Sequence, residues 1–510
     1  MDHSIHEFLD KAASQNGDKV AAIDFEDRHH SWSDLSAATK AAEAVLKSYG
    51  VVSGDRVVLV FENAMSVPAF LFAGSRLDAM IVLMNARMSA AELDRVFAHS
   101  EPKCVVLCLD ASGAAQDHAN RMDADLHDDV FGRVAVLSCE GATPEVQAEK
   151  AGDKVAVLLY TSGTTGLPKA AMLTQGNLVA AAYATLQVRQ LDDRAVVYLG
   201  LPLSHVFGLV TLLAAAAAQS SIRLEARFDV ERLYDALQLD VTHLPAVPQM
   251  HAHLFHYAQR QNKPNYDRGL LQFVSSGGAP LDPVYKREAE KFYGLPLQNG
   301  YGLTEGSAGV CATKSTKGDP DVSVGVPMGE CQIRINFEAY GAEPDEGIGE
   351  LEIGGPQIMK GYFRDPDQTQ KILTDDGFFR TGDLGRFDEY GRLHITGRSK
   401  ELIIRSGFNV YPIEVEAALA EHPKVIVAGV VGRRVAGNEE VIGFVKTADP
   451  ALLCEDDLKE FVRDKLAPYK RPARIVIADD LPAAATGKLM KAKLLDHFAH
   501  MLACHVKDPH

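Results

Sequence analysis

Residues 158–174 read LLYTSGTTGLPKAAMLT. A strand-like run, VAVLLY (155–160), opens into a stretch of Thr, Ser and Gly that Lys169 closes. Gly163 and Gly166 let a backbone turn its N–H groups toward an anion. Thr161, Ser162, Thr164 and Thr165 add hydroxyl donors, and Lys169 adds a mobile positive charge. The stretch therefore reads as a phosphate-holding loop. It is not the common nucleotide loop, which places Lys directly after the second Gly and Ser or Thr after the Lys. Here Leu167 and Pro168 intervene and Ala170 follows. With no G-x-G-x-x-G opening a helix after a strand either, kinase, GTPase and dinucleotide readings lose their main support.

Outward from this loop, strand and helix signals alternate. SDLSAATKAAEAVLKSYG (33–50) predicts an amphipathic helix stopped by Gly50. DRVVLVFEN (55–63) predicts a buried strand and MSVPAFLFAGSRLD (65–78) the next helix. Ser89 and Glu92 have capping-box spacing, before the strand KCVVLCL (103–109). This alternation predicts βαβ units and parallel sheets covered on both faces. Residues 110–152 are polar and irregular and predict a surface excursion. From about 318 to 396 the texture changes to short β runs with Gly turns, such as GELEIGG (349–355) and GRFDEYGRLHITG (385–397), a β-rich subdomain. After GRSKE (397–401) a new pattern begins: strand ELIIRS, helix PIEVEAALAEH, strands VIVAGVVG and EVIGFVKT, helix EDDLKEFVRDKL, strand RIVIAD, and a last helix from about Lys491. The predicted fold is α/β: a large N-terminal domain of parallel-rich sheets with a β-rich subdomain, then a small α+β C-terminal domain.

At 510 residues the chain exceeds one ordinary core, so two or more domains are expected. A net charge of −17 argues against a nucleic-acid surface, although local loops can still bind a small anion. The seven cysteines are odd in number and scattered, and Cys104 and Cys108 fit a buried strand better than a zinc site. Reduced cysteines predict a cytoplasmic protein. MDHSIHEFLDKAASQ lacks the pattern of a secretory signal. The uncharged run 195–218 is broken by Pro202, Ser204 and His205, which predicts a strand, a turn and an Ala-rich core helix, not a transmembrane segment.

YTSGTTGLPK resembles the signature of the adenylate-forming superfamily, which includes acyl- and aryl-CoA synthetases, luciferases and peptide-synthetase adenylation domains. The resemblance continues in order through SSGGAPL (275–281), NGYGLTE (299–305), FRTGDLGRFDEYGRLHITGRSKELIIRSGFNVYPIEVE (379–416) and TGKLMKAKL (486–494), practically the whole chain. It implies a two-step reaction. A carboxylate attacks the α-phosphorus of Mg-ATP to give acyl-AMP and pyrophosphate, and a thiol then displaces AMP. Two anions must meet in the first step, so cations and N–H donors have to offset their repulsion.

The resemblance also implies roles. Lys488 matches the catalytic lysine that bridges substrate carboxylate and α-phosphate. Tyr301 is expected to stack on adenine, Thr304 to bond the α-phosphate and Glu305 to hold Mg²⁺. Asn299, Gly300 and Gly302 allow close backbone approach, with Gly278 and Ala279 on the facing wall. Asp383 matches the ribose-binding aspartate, and Arg398 approaches the same ribose or the phosphate. Lys400 falls at the hinge (398–401) between residues 1–397 and a mobile domain at 402–510. Gly407 and Phe408 are expected to line a pantetheine tunnel, with Tyr469 and Arg471 at the nucleotide end of coenzyme A.

The acyl pocket is expected from His205, Phe207, Ser276 and Gly277. Amino-acid-activating relatives usually carry Asp after the Phe, whereas Gly208 follows Phe207 here. No Arg or Lys lies in LPLSHVFGL, SSGGAPL or NGYGLTEGSAGVCA, so a fatty or aromatic monocarboxylate fits best. ATP, Mg²⁺ and coenzyme A are the implied reactants, with no tightly bound organic cofactor. Partners are small molecules, with a homodimer compatible. Other readings are a ligase loading a carrier protein, luciferase-like oxygenation, and a non-catalytic nucleotide-binding relative. The last would be expected to lack Lys488, Glu305 or the loop, and all three are present.

Overall fold

Strand Arg56–Phe61 shows how the chain uses its apolar runs. All six residues are buried, Val57, Leu59 and Phe61 on one face and Val58 and Val60 on the other. A strand buried on both faces belongs inside a parallel sheet, and this one pairs in parallel with Met80–Asn85 and Cys104–Cys108. The computed structural model describes residues 3–161, 169–266, 269–406, 408–435, 438–483 and 489–503. Among them the strands form sheets of nine, seven, four, three and two.

The seven-stranded sheet runs Asp125–Asp129, Gly132–Ser138, Cys104–Cys108, Arg56–Phe61, Met80–Asn85, Val155–Thr161, Lys169–Thr174, with antiparallel hairpins at both edges. The expected excursion at 110–152 is corrected here. It contains helix Gly113–Met122 and the hairpin of one edge. The outer strand, DLHDD, is largely exposed and held by backbone pairing and by polar contacts of Asp125 and His127 with Tyr49, so its polar composition concealed it. Cys104 and Cys108 are buried in their strand, and burial pushes both thiols up to about 12.

The nine-stranded sheet has a parallel interior, in the order Leu297–Leu303, Phe273–Gly277, His243–Ala246, Val196–Leu199, Ser221–Leu224, Val20–Ile23. Helices Trp32–Ser48, Ser66–Arg76, Gln175–Arg189 and Val206–Ala218 share one buried cluster with residues of both large sheets. Ser66–Ser75 is buried on every side, as an all-round apolar helix must be. Helix Ala90–Ser100 opens at the expected Ser89–Glu92 capping box, a device worth about 1 kcal/mol. Residues 195–218 form strand Val196–Leu199, a turn and helix Val206–Ala218, as read from the sequence. No helix among the described residues is long and apolar enough to cross a membrane.

The β-rich subdomain is an antiparallel sheet of Gln332–Asn336, Gly349–Gly354, Phe379–Phe387 and Leu393–Arg398. Beyond it, Ile403–Arg405 pairs with Phe408–Val410, and Val427–Val435, Asn438–Lys446 and Arg474–Ala478 form the three-stranded sheet. The last expected helix is broken into Leu494–His497 and Ala499–Ala503. The backbone leaves helical geometry at Phe498, whose ring packs on Phe444. This part meets the subdomain through an apolar cluster of Ile348, Leu384, Leu402 and Tyr411 and through Asn409, which donates to Glu343 at 2.8 Å. Lys491 lies 2.8 Å from both Glu401 and Glu416. Burial works against its ammonium, but those two carboxylates outweigh it and keep it charged.

Candidate active site

In an open parallel sheet, ligands collect beyond the carboxyl ends of the strands. The expected site residues lie there. Parallel register sets Ser276 beside Asn299 and Gly277 beside Gly300, bringing SSGG and NGYG together, while His205 and Phe207 follow strand Val196–Leu199, two places along the sheet from Phe273–Gly277.

The strand ending at Leu303 folds back antiparallel through a bulge between Tyr301 and Gly302. A Cβ at Gly302 would lie 1.7 Å from the Ala308 carbonyl oxygen, so no other residue fits. Ser307 and Ala308 both take positive φ, +50° and +83°. Two such non-glycine residues in succession are costly, and strain of this kind clusters at functional sites.

The bulge aims Tyr301 at the β-rich subdomain, where its hydroxyl donates to Asp383 Oδ2. The other oxygen of that buried carboxylate takes Arg398 Nε at 2.7 Å. Pairing of Phe379–Phe387 with Leu393–Arg398 makes Asp383 and Arg398 register partners, so sheet geometry builds the ion pair. Burial, and then the Asp383 charge, push the Tyr301 phenol far up, which keeps it a neutral donor. Thr304 and Glu305 lie in the short turn that follows.

Glu305 Oε1 accepts from the Tyr362 hydroxyl at 2.7 Å. Lys169 Nζ lies 5.5 Å from the centre of the same ring and 3.3 Å from Gln368 Oε1. Tyr362 thus joins the expected metal ligand to the expected phosphate cation, and sequence reading missed it. It lies 57 positions beyond Glu305 in a stretch, MKGYF, that carries no distinctive pattern; only tertiary pairing of 360–363 along Lys169–Thr174 brings it in. Thr161 Oγ1 lies 3.5 Å from the Lys169 carbonyl.

The Phe207 ring faces Gly277: a Cβ added there would sit 3.4 Å from it, in ordinary van der Waals contact. A Cβ at Gly208, near the start of helix Val206–Ala218, would meet the Pro202 carbonyl oxygen at 2.3 Å, so packing excludes the aspartate of amino-acid-activating relatives on steric grounds. His205 is exposed at the start of its helix and accepts from the Phe207 N–H. The Ser276 hydroxyl and Asn299 Oδ1 are buried without a hydrogen-bond partner among the described residues. Gly278, with φ +80°, and Ala279 are exposed beyond the strand end. The guanidinium of Arg189, another residue the sequence reading passed over, lies 5.5 Å from the Phe207 ring centre.

Behind SSGG, His251 is fully buried. Its Nε2 donates to the Ser275 carbonyl at 3.2 Å and its Nδ1 accepts from Tyr293 at 2.7 Å. Burial lowers its pKa to about 4. The unfolded chain binds a proton near 6.5 that the folded imidazole refuses until about 4, so stability falls as pH drops through that window. We expect a loss of about 2 kcal/mol by pH 5 from this group. Thermal melts at pH 7 and pH 5 check it: the midpoint falls, and falls less in His251→Gln. Equal falls in both proteins would remove His251 as the source.

Phe408 stacks on Tyr469 with centroids 4.6 Å apart, and Arg471 donates through Nε to the Leu466 carbonyl. These three expected coenzyme A residues lie in the C-terminal part. Lys400 is exposed in the turn Ser399–Glu401. Ser162, Gly163, Thr164, Thr165, Gly166, Gly407 and Lys488 lie outside the described residues.

Two family models match in succession, the AMP-binding enzyme over residues 9–363 and the AMP-binding enzyme C-terminal domain over 414–488. The chain belongs to the AMP-binding enzyme family. It is similar to 2-succinylbenzoate–CoA ligase of Bacillus licheniformis, 32% identical over 97% of this chain and all of that one. It is also similar to oxalate–CoA ligase of Arabidopsis thaliana, 31% identical over 90% of this chain and 91% of the other. Among solved structures, ATP-bound MatB from Rhodopseudomonas palustris superposes with a TM-score of 0.84 at 28% identity, over 98% of this chain and all of that one. This AMP-binding enzyme is an AMP-forming acid–CoA ligase, as the ordered motifs led one to expect.

Proposed function

We propose that the cleft between the strand ends of the nine-stranded sheet and the β-rich subdomain adenylates a carboxylic acid whose body lies against Phe207 and Gly277. The observation that carries this reading is the Tyr301–Asp383–Arg398 constellation beside Glu305. Asp383 is a buried carboxylate positioned to accept from two ribose hydroxyls once Tyr301 and Arg398 share it. Tyr301 turns to the adenine, and Lys169 meets the outer phosphates. Glu305 has one oxygen engaged by Tyr362, and its second has no hydrogen bond among the described residues, which leaves it for a hard cation. That suits Mg²⁺ carried by a triphosphate, which needs few protein oxygens and supplies charge neutralisation.

In the first step a carboxylate oxygen bonds to the α-phosphorus, the bond to the bridging oxygen breaks, and pyrophosphate leaves. Thr304 and Lys488 would steady the charge that gathers on the α-phosphate. In the second step the thiolate of coenzyme A attacks the acyl carbon, AMP leaves with the electron pair, and the thiol proton passes to solvent. Rotation about Lys400 would exchange Lys488 for the segment bearing Gly407 and Phe408. The stacked Phe408–Tyr469 pair offers an aromatic surface near the tunnel mouth. We place the enzyme in the cytoplasm, where buried thiols such as Cys104 stay reduced; a homodimer is its proposed assembly.

Pyrophosphate release measured over a panel of fatty, cinnamic, benzoic and short dicarboxylic acids tests the assignment. Release must need both ATP and an acid, with AMP and a coenzyme A thioester as the other products. ATP cleavage to ADP without an acid would contradict it.

A further inference from the structure

Arg189 ends helix Gln175–Arg189 with its side chain almost wholly buried, 7% exposed. Its Nη1 donates to Thr211 Oγ1 at 3.0 Å, and that hydroxyl passes its own hydrogen to the Phe207 carbonyl at 2.7 Å. Its backbone carbonyl accepts from His243 Nε2 at 3.0 Å. Among the described residues no carboxylate pairs with the guanidinium. The acid nearest along the chain, Asp192, is tied to Arg194 at 2.7 Å. His243 brings no negative charge, since burial lowers its pKa to about 4 and leaves a neutral ring. Burial alone lowers Arg189 to about 10, so it stays charged at neutral pH.

A cation removed from water without a counter-charge is expensive, and proteins ordinarily pair it. One hydroxyl, a ring and the carbonyl end of its own helix do not make up that deficit. The ring in question is Phe207, whose edge lies 3.4 Å from where a Cβ at Gly277 would be, so one side chain lies between the proposed acid wall and the lone guanidinium. The expectation of an acid without a second charge rested on three stretches that hold no Lys or Arg. Arg189 lies outside all of them and arrives by the packing of its helix against Val206–Ala218.

We infer that Arg189 is a specificity residue that receives a second carboxylate at the far end of the acid substrate. The inference rests on the assignment of Phe207 and Gly277 to the acid pocket. A guanidinium offers two parallel N–H donors to a carboxylate, a match that an ammonium or an amide cannot copy. An acid of this kind has its reacting carboxylate toward the nucleotide, an alkyl or aryl body along Phe207, and its other carboxylate on Arg189. A neutral group at that end leaves the cation buried and unpaired, which is the strongest form of rejection a pocket can make.

The test compares diacids with their monoamides: oxalate with oxamate, malonate with malonamate, succinate with succinamate, terephthalate with 4-carbamoylbenzoate. Acid-dependent pyrophosphate release is read for the wild type, Arg189→Lys and Arg189→Met. In the wild type at least one diacid should exceed its monoamide about 100-fold in kcat/KM. Arg189→Met should bring that ratio to about one or below with the KM for ATP unchanged, and Arg189→Lys should keep part of it. Should Arg189→Met fail to fold, the wild-type ratios alone decide. Release from monoamides or simple monocarboxylates as good as from every diacid would overturn this inference and leave the ligase standing. No acid-dependent release from any acid would end both.

Discussion

Lys488→Ala is expected to lower acyl-adenylate formation about 1,000-fold or more while a pre-formed acyl-adenylate is still converted to its thioester. In the first half-reaction two anions approach, and the ammonium at 488 would lie between them, so its removal exposes their full repulsion. In the second half-reaction the electrophile is already made and AMP is a good leaving group, so nothing asks for that cation. The two steps are read separately, by pyrophosphate release and by thioester yield from synthetic adenylate. Equal losses in both would remove Lys488 from its role. Lys400→Pro is the reciprocal control. Fixing the backbone at the pivot should spare adenylation and slow thioester formation.

Asp383→Ala should raise the KM for ATP about 100-fold, the cost of losing two hydrogen bonds to a charged acceptor. The variant also leaves the Tyr301 hydroxyl and Arg398 without their shared partner. Arg398 is half exposed and can turn to water, so the accompanying loss of stability should be about 1–2 kcal/mol. Ribose contact and mere architecture are separated by 2′-deoxy-ATP. If Asp383 bonds that hydroxyl, wild type and variant draw closer with the deoxy nucleotide. An ATP KM unmoved by the substitution would show that Asp383 serves only its two neighbours.

Much of this was legible before any coordinates. Val57–Val60 announced a strand buried on both faces, Ser89 and Glu92 a helix start, and the Gly208 that follows Phe207 the absence of the aspartate of amino-acid-activating relatives. These are local signals, each carried by neighbouring residues. Residues 125–129 were not legible, because an edge strand held by backbone pairing needs no apolar pattern. Tyr362 and Arg189 were hidden for a different reason. Each acts on a partner brought close by packing, Glu305 in one case and Phe207 in the other, and neither is flanked by residues that mark it. The sequence contained the parts of the site that recur as strings. The parts that exist only as adjacencies needed the fold.

The ammonium of Lys491 is claimed at once by Glu401, the residue after the proposed pivot, and by Glu416 on helix Pro412–Ala420. Lys488 stands three positions upstream of it. If the chain pivots at residue 400, the Lys491–Glu401 contact ties that pivot to a residue three places along the chain from Lys488. On the proposed mechanism, changes that quicken the swing would then also be felt beside Lys488, and the timing of the two half-reactions would be set together.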